Sequence, residues 1–286
     1  MTGPSAAFER ERARLAGIAY RMTGSHHDAE DIVQEAWIRY EHNRSTVDVP
    51  AAWLTTTVTR MSIDRIRRRA TERARYVGPW LPEPVAIQPT PEDVVDTANS
   101  LTLAFLVMLD RLSPLERAAF VLVDVFGEPY SVVAATLGRN EPACRQLVHR
   151  ARIRMHSARE SSLVPLDDQL LRRLVAALVE DDQSALLELL APDVVLISDG
   201  GADQRAARRP VIGRDRVARF LTNLSHRVVD STVTEGDVNY AACLFIHATG
   251  RSIVLTGSVR GGEIASLTMM LIQDKIAGAE DRLAMR

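Results

Sequence analysis

The chain has 286 residues, 46% of them hydrophobic, and a formal net charge of −2, which suits two or three domains with real cores and excludes a uniformly basic nucleic-acid binder. The start, MTGPSAAFERERARL, lacks the apolar core of a signal peptide, and no run of about 18 apolar residues occurs, so a soluble protein of the cytoplasm is expected. Cys144 and Cys243 lie far apart and match no metal spacing, which fits a reducing compartment with no metal or cofactor.

Residues 8 to 75 read as helix, with breaks near TGSHHD and NRSTVDVP. The helix after Ser25 repeats Ile32, Val33, Ala36, Trp37 and Tyr40 at helical spacing, and its other face shows Asp28, Asp31, Gln34 and Glu35. On residue types alone that face reads as solvated, with acids near the N-terminus where the helix dipole favours them. The next helix opens at Pro50 and carries Trp53, Leu54, Val58, Met61, Ile63 and Ile66 as a broad apolar surface. Past Ile66 arginine takes over, in IDRIRRRATERAR. Such an end fits a domain edge lying against phosphate, or a solvated last turn. From 77 to 93, VGPWLPEPVAIQPTPED holds five prolines and cannot be a helix interior. Thr90 then caps a new helix with Pro91 at its first position.

In SPLERAAFVLVDVFG, Ser113 and Glu116 form a capping box around Pro114. YSVVAATLG reads as a short helix ended by Gly138, and Asn140 caps another. Short helix, glycine turn and second helix make a helix-turn-helix signature. On the second helix Cys144, Leu147, Val148, Ala151 and Met155 share the inward face. Glu141, Arg145, Gln146 and His149 take the outward one, with residue types suited to base edges. Arg150, Arg152 and Arg154 lie further along, where phosphate contacts fix register. After SSLVP come two helices and then, from about Ala191, β-branched runs with glycine turns that read as strands. The near-exclusive use of arginine, with Lys275 the one lysine, reads as genome composition rather than a chemical demand.

AYRMTGSHHDAEDIVQEAWIRY, AAWLTTTVTRMSIDRIRRR and LSPLERAAFVLVDVFGEPYSVVAATLGRNEPACRQLVHRAR resemble regions 2.1 to 2.2, 2.4 and 4 of extracytoplasmic-function sigma factors. WLPEP at 80 to 84 and SDGGADQRAARRPVIG at 198 to 213 resemble the sigma-J type, which carries a fused SnoaL-like domain. In that type the glycine motif runs Asp-Gly-Gly-Gly-Lys. Here Asp199, Gly200 and Gly201 keep the first three positions, while Ala202 and Asp203 occupy the last two.

The resemblance implies a multidomain chain: an all-α sigma-2 domain at 1–76, a proline-rich linker at 77–93 and an all-α sigma-4 helix-turn-helix domain at 94–160. An α+β SnoaL-like, NTF2-like cone follows at 167–286. It implies core RNA polymerase (β′ clamp and β flap) and promoter DNA as partners, with no membrane and no separate anti-sigma factor. Asp28, Asp31, Gln34 and Glu35 become contacts to the polymerase. Arg60, Asp64, Arg65, Arg67 and Arg68 face the −10 element, and the loop from about His42 to Ala51 captures a flipped base. Glu141, Arg145, Gln146, His149, Arg150 and Arg152 read the −35 element.

Trp80, Leu81 and Pro82 in the linker need a cover. The C-terminal domain is expected to supply it near Asp199, Gly200 and Gly201, and so to regulate in cis. A small molecule in the cone's cavity is a further possible partner. Asp199, His226, Asp230 and His247 are the acid–base candidates if that domain were an enzyme, but fold alone does not grant chemistry, and no catalytic residue is expected.

Overall fold

A computed structural model describes residues 4–73, 76–86, 100–158, 163–202, 204, 206–228, 231–248 and 251–284. The chain divides into two compact units, Met1–Ala74 with Met108–Ala158, and Arg75–Val107 with Arg159–Arg286. This division differs from the expected order of domains. The described linker residues belong with the C-terminal unit, because Leu81, Pro82, Pro84 and Val85 are all buried there. The expected cap at Thr90 lies outside the described residues.

The first unit opens with α1 (Pro4–Thr23), α2 (His26–Asn43) and α3 (Pro50–Arg73). Gly24, at φ 68°, turns the chain between α1 and α2, and the Ser25 hydroxyl accepts from the Asp28 N–H at 3.1 Å. A single 3₁₀ turn, Arg44–Thr46, follows α2. The chain re-enters this unit at Met108, within α4 (Leu103–Leu109), and continues into α5 (Pro114–Phe120). There the Ser113 N–H donates to the Glu116 carboxylate at 3.0 Å, and the Glu116 N–H donates back to the Ser113 hydroxyl at 3.4 Å. α5 runs on into a wide π turn, Val121–Val125. α6 (Tyr130–Leu137) ends at Gly138 with φ 63°. In α7 (Glu141–Ala158) the Ala143 N–H is capped by Asn140 at 2.9 Å. Cys144, Leu147, Val148, Ala151 and Met155 are buried, as the spacing predicts.

The two helical blocks, expected as separate domains, pack together within this unit. The buried Arg117 guanidinium of α5 donates to the Met22 carbonyl near the end of α1 at 2.7 Å. It also pairs with Asp110, whose other oxygen meets Arg73 of α3 at 3.1 Å. Arg14 and Arg21 of α1 lie over the Phe126 ring at 5.7 and 5.2 Å. Polar groups this deeply placed specify one arrangement, since any shift strands a desolvated charge.

The second unit holds a seven-stranded sheet. β1 (Val164–Pro165) is followed by α8 (Asp168–Val179), α9 (Gln183–Leu189), β2 (Leu190–Asp199), β3 (Val211–Ile212) and α10 (Arg214–Ser225). β4 (Thr232–Val238), β5 (Ala241–Ala248), β6 (Arg251–Arg260), β7 (Glu263–Met270) and α11 (Gln273–Ala284) complete it. The strand order is β3-β2-β7-β6-β5-β4, with β1 pairing β6; only β2 and β7 run parallel among these pairs. The unit is thus α+β, one mixed sheet with helices packed on both of its faces, the architecture expected for this part of the chain. On one face Leu244, Ile246 and Leu255 pack with Leu171 and Leu174 of α8, Leu186 of α9 and Leu221 of α10. On the other, Cys243, Phe245, Val254 and Met270 pack with Ile276 and Ala279 of α11 and with Leu81. The alternation along β5 and β6 is the strand period of two.

Replacing Arg117 with Met should destabilise the first unit by about 2–3 kcal/mol, because Asp110 and the Met22 carbonyl lose their shared donor. Chemical denaturation followed through Trp37 and Trp53 measures it; an unchanged midpoint would mean that the pair adds nothing to stability.

Candidate functional sites: two helix faces and a buried clasp

α2 and α3 share a recess of about 250 Å³ lined by Asp31, Glu35, Arg39, Asp64, Arg65 and Arg68. The structure thus brings the expected polymerase-facing acids and part of the expected −10 arginines to one place. Asp31 and Gln34 are exposed, and Glu35 pairs with Arg39 at 2.8 Å. Asp28 is different. It is fully buried, with Arg65 at 2.6 Å and Arg69 at 2.8 Å from its two oxygens. Asp28 offers no surface to a partner and instead anchors α2 to α3, and Arg65 is held in the same pairing. Arg67 and Arg68 are exposed, Arg67 pairing with the Asp64 carboxylate at 3.5 Å and Arg68 donating to the Asp64 carbonyl at 3.4 Å. Arg60 points elsewhere, donating to the carbonyls of Thr136 at 2.9 Å and Ala135 at 3.3 Å.

On α7, Arg145, Gln146 and His149 are exposed and Glu141 is partly so. Arg145 is ordered by Glu141 at 2.8 Å and by the Tyr130 ring at 4.9 Å. The arginines further along are not free. Arg150 and Arg154 meet Glu116 at 3.1 and 2.5 Å, and Arg152 makes a bidentate pair with Asp124 at 2.9 and 2.6 Å. Burial alone would raise the Glu116 carboxyl, but the Ser113 hydrogen bonds and the Arg154 and Arg150 guanidinium groups outweigh it and hold it low. Hydrogen bonding to Asp124 likewise pushes the Arg152 guanidinium up. Any anion that met these arginines would have to displace these carboxylates.

The third site was only partly visible in the sequence. Asp199, at the end of β2, is fully buried. Its carboxylate accepts from the Leu81 N–H at 2.8 Å, the Lys275 ammonium at 2.8 Å, the Gly201 N–H at 3.3 Å and the Tyr76 hydroxyl. Lys275, on α11, also donates to the Leu81 carbonyl at 2.8 Å and sits 3.5 Å from the Trp80 ring centroid. Burial, with the Asp199 hydrogen bond second, pushes the Tyr76 phenol far above its ordinary value, so it stays a donor at any physiological pH. Gly200 is required because a Cβ would lie 2.6 Å from that of Ala206, and Gly201 has φ 58°. Ala202 is exposed, and Asp203 lies outside the described residues. The cation that meets Asp199 comes from α11 rather than from the glycine segment.

About 40 residues further along the chain, Asn239 makes a second set of contacts to the linker, the tether between the two helical blocks. It occupies the two-residue β4–β5 turn, where Asn239 and Tyr240 have φ 53° and 61°, the arrangement of a type I′ hairpin. Its side-chain oxygen accepts from the Val85 N–H at 2.9 Å, its side-chain amide donates to the Leu101 carbonyl at 2.8 Å, and its own N–H donates to the Val85 carbonyl at 2.9 Å. One buried side chain pins both ends of the stretch from 86 to 100.

The described acid–base candidates each have partners. Asp199 is taken up by the tether, His247 meets Ser252 at 3.2 Å, and His226 lies 3.9 Å from Asp181 with both side chains about 60% exposed. Asp230 lies outside the described residues. Among the described residues no cluster of three His, Cys, Asp or Glu side chains could hold a metal, and no helix is long and apolar enough to cross a membrane.

If Asp124 restrains Arg152, Asp124→Asn should tighten promoter binding by the polymerase-bound protein. It should also steepen the dependence of log K on log salt by about 0.9, the value for one added phosphate contact. A slope equal to that of the unaltered protein would place Arg152 off the phosphate path.

Comparison with known proteins bears on these helix faces. Residues 7–72 match sigma-70 region 2 and residues 102–155 match sigma-70 region 4. The chain is 40% identical over 228 residues to the ECF RNA polymerase sigma factor SigJ of Mycobacterium tuberculosis, covering 77% of this chain and 72% of that protein. It is 33% identical over 274 residues to the probable ECF RNA polymerase sigma factor SigI of the same species, covering 93% and 92%. The crystal structure of the M. tuberculosis SigJ aligns with a TM-score of 0.77 at 34% identity, over 96% of this chain and 99% of that one. The helix-turn-helix, the paired α2–α3 faces and the tether-bearing C-terminal cone therefore belong to an extracytoplasmic-function RNA polymerase sigma factor of the sigma-J type, a subunit that directs promoter recognition and transcription initiation.

Proposed function

We propose that the C-terminal domain of this sigma factor controls initiation by holding the chain that joins the region 2 and region 4 helices. The observation that carries this reading is the buried clasp of Asp199 and Lys275 on Leu81. In this reading the exposed Asp31 and Gln34, with Glu35, meet the polymerase β′ clamp. α3 follows the −10 strand through Arg67 and Arg68, and the turn near Arg44–Thr46 borders the flipped base. Arg145, Gln146 and His149 read the −35 element, and the region 4 body meets the β flap. Regulation by a fused domain takes the place of a separate anti-sigma factor.

Distances make the control physical. The −10 and −35 elements lie about 25 base pairs apart, roughly 85 Å at ~3.4 Å per pair. A unit in which Arg60 of α3 touches Thr136 of α6 at 2.9 Å cannot lie on both at once, so initiation requires the blocks to part. The joining segment, residues 74 to 102, reaches roughly 100 Å only when fully extended. Pinned at Leu81 by Asp199 and Lys275, and at Val85 and Leu101 by Asn239, it falls well short. Two reading modules gain affinity together only when their tether spans both sites.

Lys275→Met and Asn239→Ala should each raise run-off transcription by core polymerase severalfold. A folded variant with unchanged or lower transcription, in both cases, contradicts the reading.

A further inference from the structure

The C-terminal unit contains a cavity of about 430 Å³ between α8, α10 and the inner face of the sheet. Its body is hydrocarbon: Leu178 and Leu221 from the helices, Leu244, Ile246 and Leu255 from β5 and β6. Its polar side chains are Asp181, Ser225, His226 and Ser231. Asp181 and His226 are largely exposed and 3.9 Å apart, which places them at the mouth. The Ser225 and Ser231 hydroxyls already donate to the carbonyls of Thr222 at 2.8 Å and Val228 at 2.5 Å, so they face a guest as acceptors. Asp181 holds φ 53° at the turn between α8 and α9, an uncommon conformation for a residue with a Cβ.

The volume falls in the range of small-molecule sites, which are mainly apolar with a few placed polar groups. A charge held in the body of the cavity would lie unpaired against leucine and isoleucine, at high cost. The lining therefore suits an uncharged, largely hydrocarbon or aromatic molecule with a hydrogen-bond donor at one end, directed to Asp181 and the serine oxygens.

The same two strands carry the tether on their other face. Leu244, Ile246 and Leu255 line the cavity, while their neighbours Cys243, Phe245 and Val254 pack in the cluster that contains Leu81. Two adjacent strands thus separate guest from tether. We infer that this cavity binds an uncharged apolar small molecule, and that its occupancy is coupled through β5 and β6 to the hold on the tether; the coupling rests on the tether reading proposed above. Coupling is reciprocal, so whatever loosens the tether must change the affinity for the guest by the same factor.

N-phenyl-1-naphthylamine, uncharged, aromatic and carrying one N–H, is a suitable probe in fluorescence titrations of the full chain. Saturable one-to-one binding is expected, weakened at least tenfold by Val175→Phe or Val228→Phe, both of which fill the cavity from partly buried positions. Lys275→Met, on the opposite face, should shift the probe's Kd at least threefold. Absence of saturable binding, or binding indifferent to both filling variants in folded protein, overturns the cavity assignment and leaves the tether reading to its transcription assay. A Kd unmoved by Lys275→Met, in a variant whose transcription does change, overturns the coupling alone. A Lys275→Met protein silent in both assays overturns the tether reading, and the coupling with it.

Discussion

A buried carboxylate is stable only when its lost hydration is replaced, and Asp199 replaces it almost wholly with groups that hold the tether. Taking a carboxylate out of water costs several kcal/mol even after relaxation. Here two backbone N–H groups, a phenol and an ammonium converge on it. Two of those donors, Tyr76 and the Leu81 N–H, lie on the tether. Removing the tether would take two of the four donors from Asp199 and leave its ion pair with Lys275 without the cover of Leu81 and Trp80. The tether is thus part of the solvation shell of Asp199, and the C-terminal sheet is complete only with it in place. Leu81 contributes the apolar half of the same arrangement by closing the cluster around Phe245 and Met270.

Other features of the chain follow from that hold. The outer face of the sheet packs against Leu81 and α11, so the unit needs no second chain there to bury Cys243, Phe245 and Val254. The inner face is left to the helices and a cavity. Meanwhile the helical unit is closed by its own polar contacts, with Arg60 on the end of α6 and the region 4 arginines on Glu116 and Asp124. Groups suited to nucleic acid are in this way occupied by carboxylates and carbonyls of the same chain, and binding becomes an exchange of partners rather than a simple gain.

Much of the helical half was legible because its signals are local. Ser25, the Ser113–Glu116 box, Gly138 and Asn140 each act within a few residues, and the inward face of α7 follows from the helical period alone. What escaped depends on partners far along the chain. Asp28 looks like its neighbours Asp31 and Gln34 until Arg65 and Arg69 arrive from α3 to bury it. Arg152 looks like an unpaired cation until Asp124 meets it from the turn after α5. The role of Lys275 left one trace, as the single lysine in an arginine-rich chain, and that trace was read as genome composition. The structure supplies a chemical reason. A compact ammonium fits between the Trp80 ring, the Leu81 carbonyl and Asp199, whereas a planar guanidinium fork does not offer the same point charge. Asn239 was missed for a related cause: a turn residue announces the turn and says nothing of the strand-distant backbone it binds.

Backbone amide hydrogen exchange at Leu81 and Val85, measured in the intact chain without polymerase, tests the clasp most directly. Their N–H groups are bonded to Asp199 and Asn239 and buried, so protection close to that of the β5 and β6 amides is the predicted result, with Leu81 losing it in Lys275→Met. Exchange of both amides at the rate of an unstructured chain would contradict the account, because opening that frequent leaves the tether unheld.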